Sequence, residues 1–264
     1  TKSSGKASDK KETVPNANYL WISYFATALN ETGKAGLVMA NSASDAGKSE
    51  YEIRRKMIEA GIIKQMVTLP SNMFWTVTLP ATLWFFDKEK PNTEKKDEIL
   101  FVDARNIFTQ VDRAHRKFSD EQIKNLGIIT RLYEGDTEAF QNLLAEYRAE
   151  LVDAPDTADA DTNIKPKAYW QEQIDWLTER FPDGVYTDVV GLCKAAKLEG
   201  EDGIIDQDYS LNPGRYVGVV IEDDGMTEEE FKETMMSLYS EYRHLSHSAK
   251  KIEDELELNI NQLF

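Results

Sequence analysis

At 264 residues, with 41% apolar and 30% charged side chains, the chain is long enough to bury a sizeable core as one domain or two. Lys and Arg number 31 against 47 Asp and Glu, a net charge of -16, which argues against tight phosphate binding by this chain alone. No apolar run approaches the ~18 residues of a membrane span, the Lys-rich start lacks the apolar stretch of a signal peptide, and the one cysteine, Cys193, excludes an internal disulfide, so the cytoplasm is the expected compartment.

Residues 1–15, TKSSGKASDKKETVP, cannot bury enough apolar surface to order themselves; a flexible leader is expected ahead of the alternative, a basic arm for phosphate. From Asn16, the residues Tyr19, Leu20, Ile22, Phe25, Ala26 and Leu29 recur at helical spacing until Gly33 ends them. The stretch 36–88 organises the rest. Its short apolar runs GLVMA, IIKQMVTL and TLWFF alternate with one amphipathic segment, SEYEIRRKMIEAG, the pattern of strands beside a covering helix and so of an α/β core. Gly47 and Ser49 can open that helix, Ile53, Met57 and Ile58 share one face, Gly61 can supply a left-handed stop, and the arginines are expected to face water. Between the first strand and this helix, Asn41, Ser42, Ser44, Asp45 and Lys48 occupy a strand's carboxyl end, where open α/β sheets place ligands. Asn41, Ser42 and Lys48 are therefore candidates to border a substrate base or a DNA backbone; the alternative is a polar connection with Asn41 or Ser49 capping the helix. IIKQMVTL and TLPATLWFF are spaced as an antiparallel pair with a longer loop, on which Met73, Phe74 and Trp75 are expected to pack on the sheet end rather than stack on a base.

After a turn at KEKPNTEKKD, EILFVDA reads as one more strand, and Ser119 with Gln122 three residues later marks a helix start, with Phe118 and Ile123 as its staple. Phe140, Leu143, Leu144, Tyr147 and Leu151 predict another helix, followed by the acidic linker DAPDTADADTNIKP and by a helix that forms a hairpin with it, AYWQEQIDWLTERF. The linker's aspartates lack the glycine turn and terminal Glu of a calcium loop. His115, His244 and His247 show no metal-ligand spacing with Cys or carboxylate, and Cys193 reads as a small buried residue. At the end of the chain, Met226, Thr227, Glu230 and Phe231 open a helix with a capping box and staple. From there Phe231, Met235, Leu238, Tyr242, Leu245, Ala249, Ile252, Leu256, Asn259 and Leu263 alternate steps of four and three. Such an a/d seam seeks a partner helix; the alternative is a helix laid on its own domain.

The runs NANYLWISYF, GLVMANS and SEYEIRRKMIEAGIIKQMVTLPSNMFWTVTLPATLWFF, in this order and spacing, closely resemble the modification (methylase) subunit of type I restriction-modification systems, downstream of its catalytic motif. The likeness resumes at EILFVDAR, KFSDEQI, DVVGLCKAAKLE and DYSLNPGRYVGV. It implies the carboxyl-terminal part of a Rossmann-like, S-adenosylmethionine-dependent methyltransferase sheet followed by a helical region, from an enzyme that methylates adenine in DNA. On this reading 1–15 is a leader, 16–132 a partial methyltransferase core, 133–182 a helical insert with an acidic linker, 183–225 the core's closing segment and 226–264 a partner-docking helix. Asn212-Pro213-Gly214-Arg215-Tyr216 departs from the Asn-Pro-Pro-aromatic motif of amino-methylating enzymes, since two residues separate proline from tyrosine. It is expected to be a structural turn, with Arg215 anchoring a carboxylate. Neither that motif nor a Gly-rich turn after a first strand occurs, so no catalytic, cofactor-binding or metal residue is assigned; S-adenosylmethionine is expected to serve the parent protein and not to bind this chain.

The resemblance implies a specificity subunit docked on Phe231, Leu238, Leu245, Ile252, Leu256 and Leu263, a restriction subunit as a further candidate partner, and contact with DNA only within the complex. The alternative is a non-catalytic assembly module. An exposed sheet edge at GLVMA is expected to favour self-association.

Overall fold

A computed structural model describes residues 17–157, 164–220 and 227–263. The predicted leader 1–15, Met226 and the middle of the acidic linker lie outside the described residues. Residues up to Val219 form one compact unit and those from Val220 a second.

The first unit is built on a five-stranded mixed sheet. In chain order its elements are α1 (Ala17–Ala28), β1 (Lys34–Ala40), α2 (Ser49–Glu59), β2 (Ile63–Thr68), β3 (Ala81–Asp87), β4 (Glu98–Asp103), the two-residue strands β5 (Thr109–Gln110) and β6 (Arg116–Lys117), α3 (Asp120–Tyr133), α4 (Thr137–Asp153), α5 (Lys167–Arg180) and β7 (Cys193–Lys197). The sheet order is β1-β3-β2-β4-β7, with β2 and β4 parallel and the other pairs antiparallel, so β1 stands at an edge. The expected antiparallel pairing of IIKQMVTL with TLPATLWFF is the β2–β3 pair.

Both faces of the sheet are covered, and the strands divide their side chains between them by the two-residue period. Trp84 and Phe86 of β3 and Phe101 of β4 enter one cluster with Tyr19 and Ile22 of α1 and Met57 and Ile58 of α2. Leu100 and Val102 of β4 enter the other with Ile129, Leu132, Phe140, Leu144 and Leu177 of α3–α5. Trp84 and Phe101 are fully buried, and each side chain of this size contributes roughly 1.5–3 kcal/mol by leaving water. Gly61 ends α2 at φ +70°, as expected; a Cβ there would lie 3.1 Å from the Lys96 carbonyl.

One expectation for α2 fails. Arg55 lies at the surface against Glu52 and Glu59, but Arg54 is only 2% exposed. It stands on the same helical stripe as Glu50, Met57 and Ile58, and a charge is tolerated there because its donors are met by the hydroxyl of Tyr19 and the carbonyls of Ala46 and Tyr209. The expected capping of α2 by Asn41 or Ser49 is also absent: Lys48 holds the cap position at φ 59°, with no side-chain cap bond.

The α3 start carries the full capping box, with Ser119 accepting from the Gln122 amide and Gln122 accepting from the Ser119 amide. Asp136 caps α4 by accepting from Ala139 N, and α4 packs against α5 as the predicted hairpin. A polar network ties the three helices. Glu121 accepts from Lys165 Nζ (2.6 Å) and from the Tyr169 hydroxyl (2.7 Å); Tyr147 donates to Asn125 (2.9 Å), which donates to Gln173 (3.0 Å). Burial alone would raise the Glu121 carboxyl, yet the two donors outweigh it and hold it at about 2.

The second unit holds α6 (Glu228–Leu263), about 54 Å long at ~1.5 Å per residue. Thr227 and Glu230 exchange the predicted capping bonds at its start. Within this unit Phe231, Leu238, Leu245, Ile252 and Leu256 are all more than half exposed, while the Leu263 side chain is outside the described set.

Candidate functional site

Strand registers place one set of loops at a single edge of the sheet. Ala40 at the end of β1 faces Ala81 at the start of β3, and Thr68 at the end of β2 faces both Thr82 of β3 and Asp103 at the end of β4. The turn after β1, the loop 69–80 and the segment leaving β4 therefore share the carboxyl edge, where ligands of open α/β sheets sit.

The turn after β1 is a 3-10 helix, Asn41–Asp45. Asn41 accepts a 2.7 Å bond from the Thr82 hydroxyl, while Ser42 and Lys48 are exposed. Three remote segments hold the turn. Tyr19 of α1 donates to the Ala43 carbonyl (2.7 Å), and Arg54 of α2 donates to Ala46 and, through Nε, to the Tyr209 carbonyl (2.7 Å). Asp45 accepts from the Ser210 hydroxyl and from Asn212 Nδ2, and lies 3.8 Å from Arg215 Nε. Arg215 is thus the carboxylate anchor the sequence suggested. The LNPGRY segment is a 3-10 turn whose Tyr216 is buried and stacked on Phe101 at 3.9 Å, so its ring is not available to a base. Burial pushes the Tyr19 phenol upward, as expected of a hydroxyl sealed beneath this latch.

Loop 69–80 departs from expectation. Met73 packs against the core, but Trp75 is 82% exposed and Phe74 and Leu79 are exposed beside it. Leu69 and Ala81 close the sheet end, and the loop pairs within itself through Val77 N to the Phe74 carbonyl, which leaves these side chains outside the core. The hairpin β5–β6, which sequence patterning missed because its strands are two residues long, leans on this loop. Arg116 donates from its amide to the Asn72 carbonyl (2.9 Å) and from Nη1 to Ser71 (3.1 Å), and its guanidinium lies 3.9 Å over the Phe108 ring. The His115 ring sits 4.0 Å from that of Trp75, its Nδ1 2.7 Å from Asp112. Beyond β4, Arg105 grips Asp103 with Nε and Nη2.

Cys193 is buried, and burial pushes its thiol up to about 11, the opposite of nucleophile activation. A groove of about 870 Å³ runs between the sheet face at Gly36, Leu83 and Phe85 and the side of α3 at Ile123 and Leu126, away from the polar residues of the edge.

The family model described as N-6 DNA Methylase matches residues 5–176. The chain belongs to the N-6 DNA methylase family. It is 33% identical over 255 residues to the type I restriction enzyme MjaIX methylase subunit of Methanocaldococcus jannaschii, covering 94% of this chain and 37% of that protein. It is 30% identical over 250 residues to the HindI methylase subunit of Haemophilus influenzae, covering 94% of this chain and 44% of that protein. The chain therefore spans less than half the length of these relatives. The type I methyltransferase subunit from Streptococcus thermophilus superposes with a TM-score of 0.50 at 17% identity over 78% of this chain and 31% of that one, a likeness of fold. The α/β sheet with its helical continuation is accordingly a methyltransferase fold.

In the turn after β1, Ala43 and Ser44 are sealed inside, and its carboxylate, Asp45, is committed to Ser210 and Asn212. Arg54, which sequence reasoning placed in water, and Asp45, which it placed on the edge loop without a partner, act through partners far along the chain. Only Arg54 left a local signal, its place on the helical stripe with Met57 and Ile58.

Proposed function

We propose that this chain is part of the modification subunit of a type I restriction-modification system, which methylates adenine in DNA with S-adenosylmethionine in complex with a specificity subunit. The observation that carries the reading is the carboxyl edge, where exposed Phe74 and Trp75 share the edge with the latched turn at Asn41 and Ser42, while Trp84, Phe86 and Phe101 of the sheet are buried. An exposed ring on a rigid edge is suited to stack on a base swung out of the duplex, and Asn41, Ser42 and Lys48 border the same edge. S-adenosylmethionine supplies the methyl group; its binding residues are proposed to lie in parts of the relatives that this chain does not span. Calorimetry on the chain alone should show no saturable uptake of the cofactor, and micromolar binding would overturn that assignment.

In the same proposal, α6 docks the specificity subunit through Phe231, Leu238, Leu245, Ile252, Leu256 and Leu263. Phe231, Leu238, Leu245, Ile252 and Leu256 are exposed, and a few well-buried leucines at ~1.5–3 kcal/mol each supply micromolar affinity after ordering costs. Glu253, Asp254, Glu255 and Glu257 beside the seam favour a basic partner helix. The test is Leu245→Asp with Ile252→Asp in the longer methylase subunit: co-purification with the specificity subunit is lost while cofactor binding is retained. Unchanged co-purification sinks the docking role and favours an α6 that packs on its own protein.

A further inference from the structure

The segment 104–118 is a basic island in an acidic chain. Against an overall charge of -16 it carries Arg105, Arg113, Arg116 and Lys117 with Asp112 as its one carboxylate, and the neighbouring loop 69–80 has no charged residue at all. Asp112 is exposed but engaged: it accepts from the amides of Ala114 (2.7 Å) and His115 (2.9 Å) and faces His115 Nδ1, contacts that hold its carboxyl below the ordinary range.

The four cations divide by role. Arg105 is committed to Asp103, and Arg116 to Ser71 and the Phe108 ring, so both build the edge. Arg113 and Lys117 are exposed and have no ion-pair partner among the described residues. Lys117 lies in β6 two residues after His115, whose ring touches Trp75, and Arg113 stands at the hairpin tip two residues before His115.

We propose that the β5–β6 hairpin is a DNA-backbone finger: Arg113 and Lys117 contact phosphates of the strand flanking the target base, while His115 fixes Trp75 beside them. The inference rests on the modification-subunit reading and adds to it a contact surface outside the turn at 41–49. Two unpaired cations beside an exposed aromatic ring match a polyanion that presents bases. They match an acidic protein surface less well, because the adjoining ring would find no base to stack on. Phosphate contacts of this kind position the duplex without reading its sequence, so their loss weakens all sequences alike.

The experiment uses the methylase subunit assembled with its specificity subunit, and a duplex that this assembly methylates alongside one that it does not. Arg113→Gln with Lys117→Gln is compared with a control of equal charge change, Lys56→Gln with Arg148→Gln, exposed helix residues away from the edge. The hairpin variant is expected to bind both duplexes about tenfold more weakly at ~0.15 M salt. Its slope of log affinity against log salt should shrink by about 0.9 for each lost contact, with melting temperature and kcat at saturating DNA unchanged. The control should keep the wild-type slope. A hairpin variant with the wild-type slope in an active assembly overturns the proposal alone, as does loss of the specificity subunit at unchanged slope, which would place a protein on the hairpin. A wild-type assembly that methylates no DNA overturns the underlying reading and the proposal with it.

Discussion

The helical layer α3–α5 and the carboxyl edge of the sheet treat their side chains in opposite ways. In the layer, polar groups are buried and answered: Glu121, Asn125, Gln173 and Tyr147 bond to one another or to Lys165 and Tyr169, and Phe140, Leu144 and Leu177 fill the space between. At the edge, the backbone is fixed by buried groups such as Arg54 and Tyr19, yet Trp75, Phe74, Arg113 and Lys117 are left in water. A region whose interactions close on themselves supports the fold. A rigid region that spends buried hydrogen bonds to hold unsatisfied side chains outward is built to meet something else.

The difference can be broken from the latch side, where the largest effect is expected. Arg54→Met leaves the Tyr19 hydroxyl and the carbonyls of Ala46 and Tyr209 without their donor inside the core, and should cost about 3 kcal/mol in urea unfolding. A loss under ~0.5 kcal/mol would mean that the latch is incidental. In the layer a smaller effect with a pH signature is expected. The Glu121 carboxyl is held at about 2, below its ordinary value, so its contribution is fully present above pH ~4.5 and is lost as pH falls from there toward 2. Glu121→Gln should lower stability at neutral pH by roughly 1 kcal/mol and flatten this acid limb; an acid limb as steep as the wild type's would refute the pairing.

The two regions also differ in how far the sequence announces them. The layer is written locally: Ser119 and Gln122 three apart give the capping box, and Phe140, Leu143, Leu144 and Tyr147 give the buried stripe of α4. The β2–β3 pairing and the stop at Gly61 are legible for the same reason, because each depends on residues close in sequence, while the burial of Cys193 follows from its residue type alone. The edge depends on partners far apart, as in Arg54 with Tyr209 and Asp45 with Ser210. Reading α2 as a helix with water-facing arginines follows from residue type, which does not reveal that three acceptors converge on Arg54. Trp75 was expected inside because large apolar groups usually are, and its outward position follows from a sheet end already closed by Leu69 and Ala81. β7, with the sequence CKAAK, carries too few β-formers to stand out and is fixed by pairing with β4.

We propose the carboxyl edge, and not the helical layer, as the working face of this methylase chain. Its most direct test is the rate of adenine methylation by the assembled modification enzyme carrying Trp75→Ala, read beside its melting temperature. Base stacking on an aromatic ring is worth ~1–3 kcal/mol, so kcat/KM should fall by about tenfold or more while the melting temperature, for a side chain 82% exposed, stays at the wild-type value. Wild-type kcat/KM in the Trp75→Ala enzyme would contradict the account.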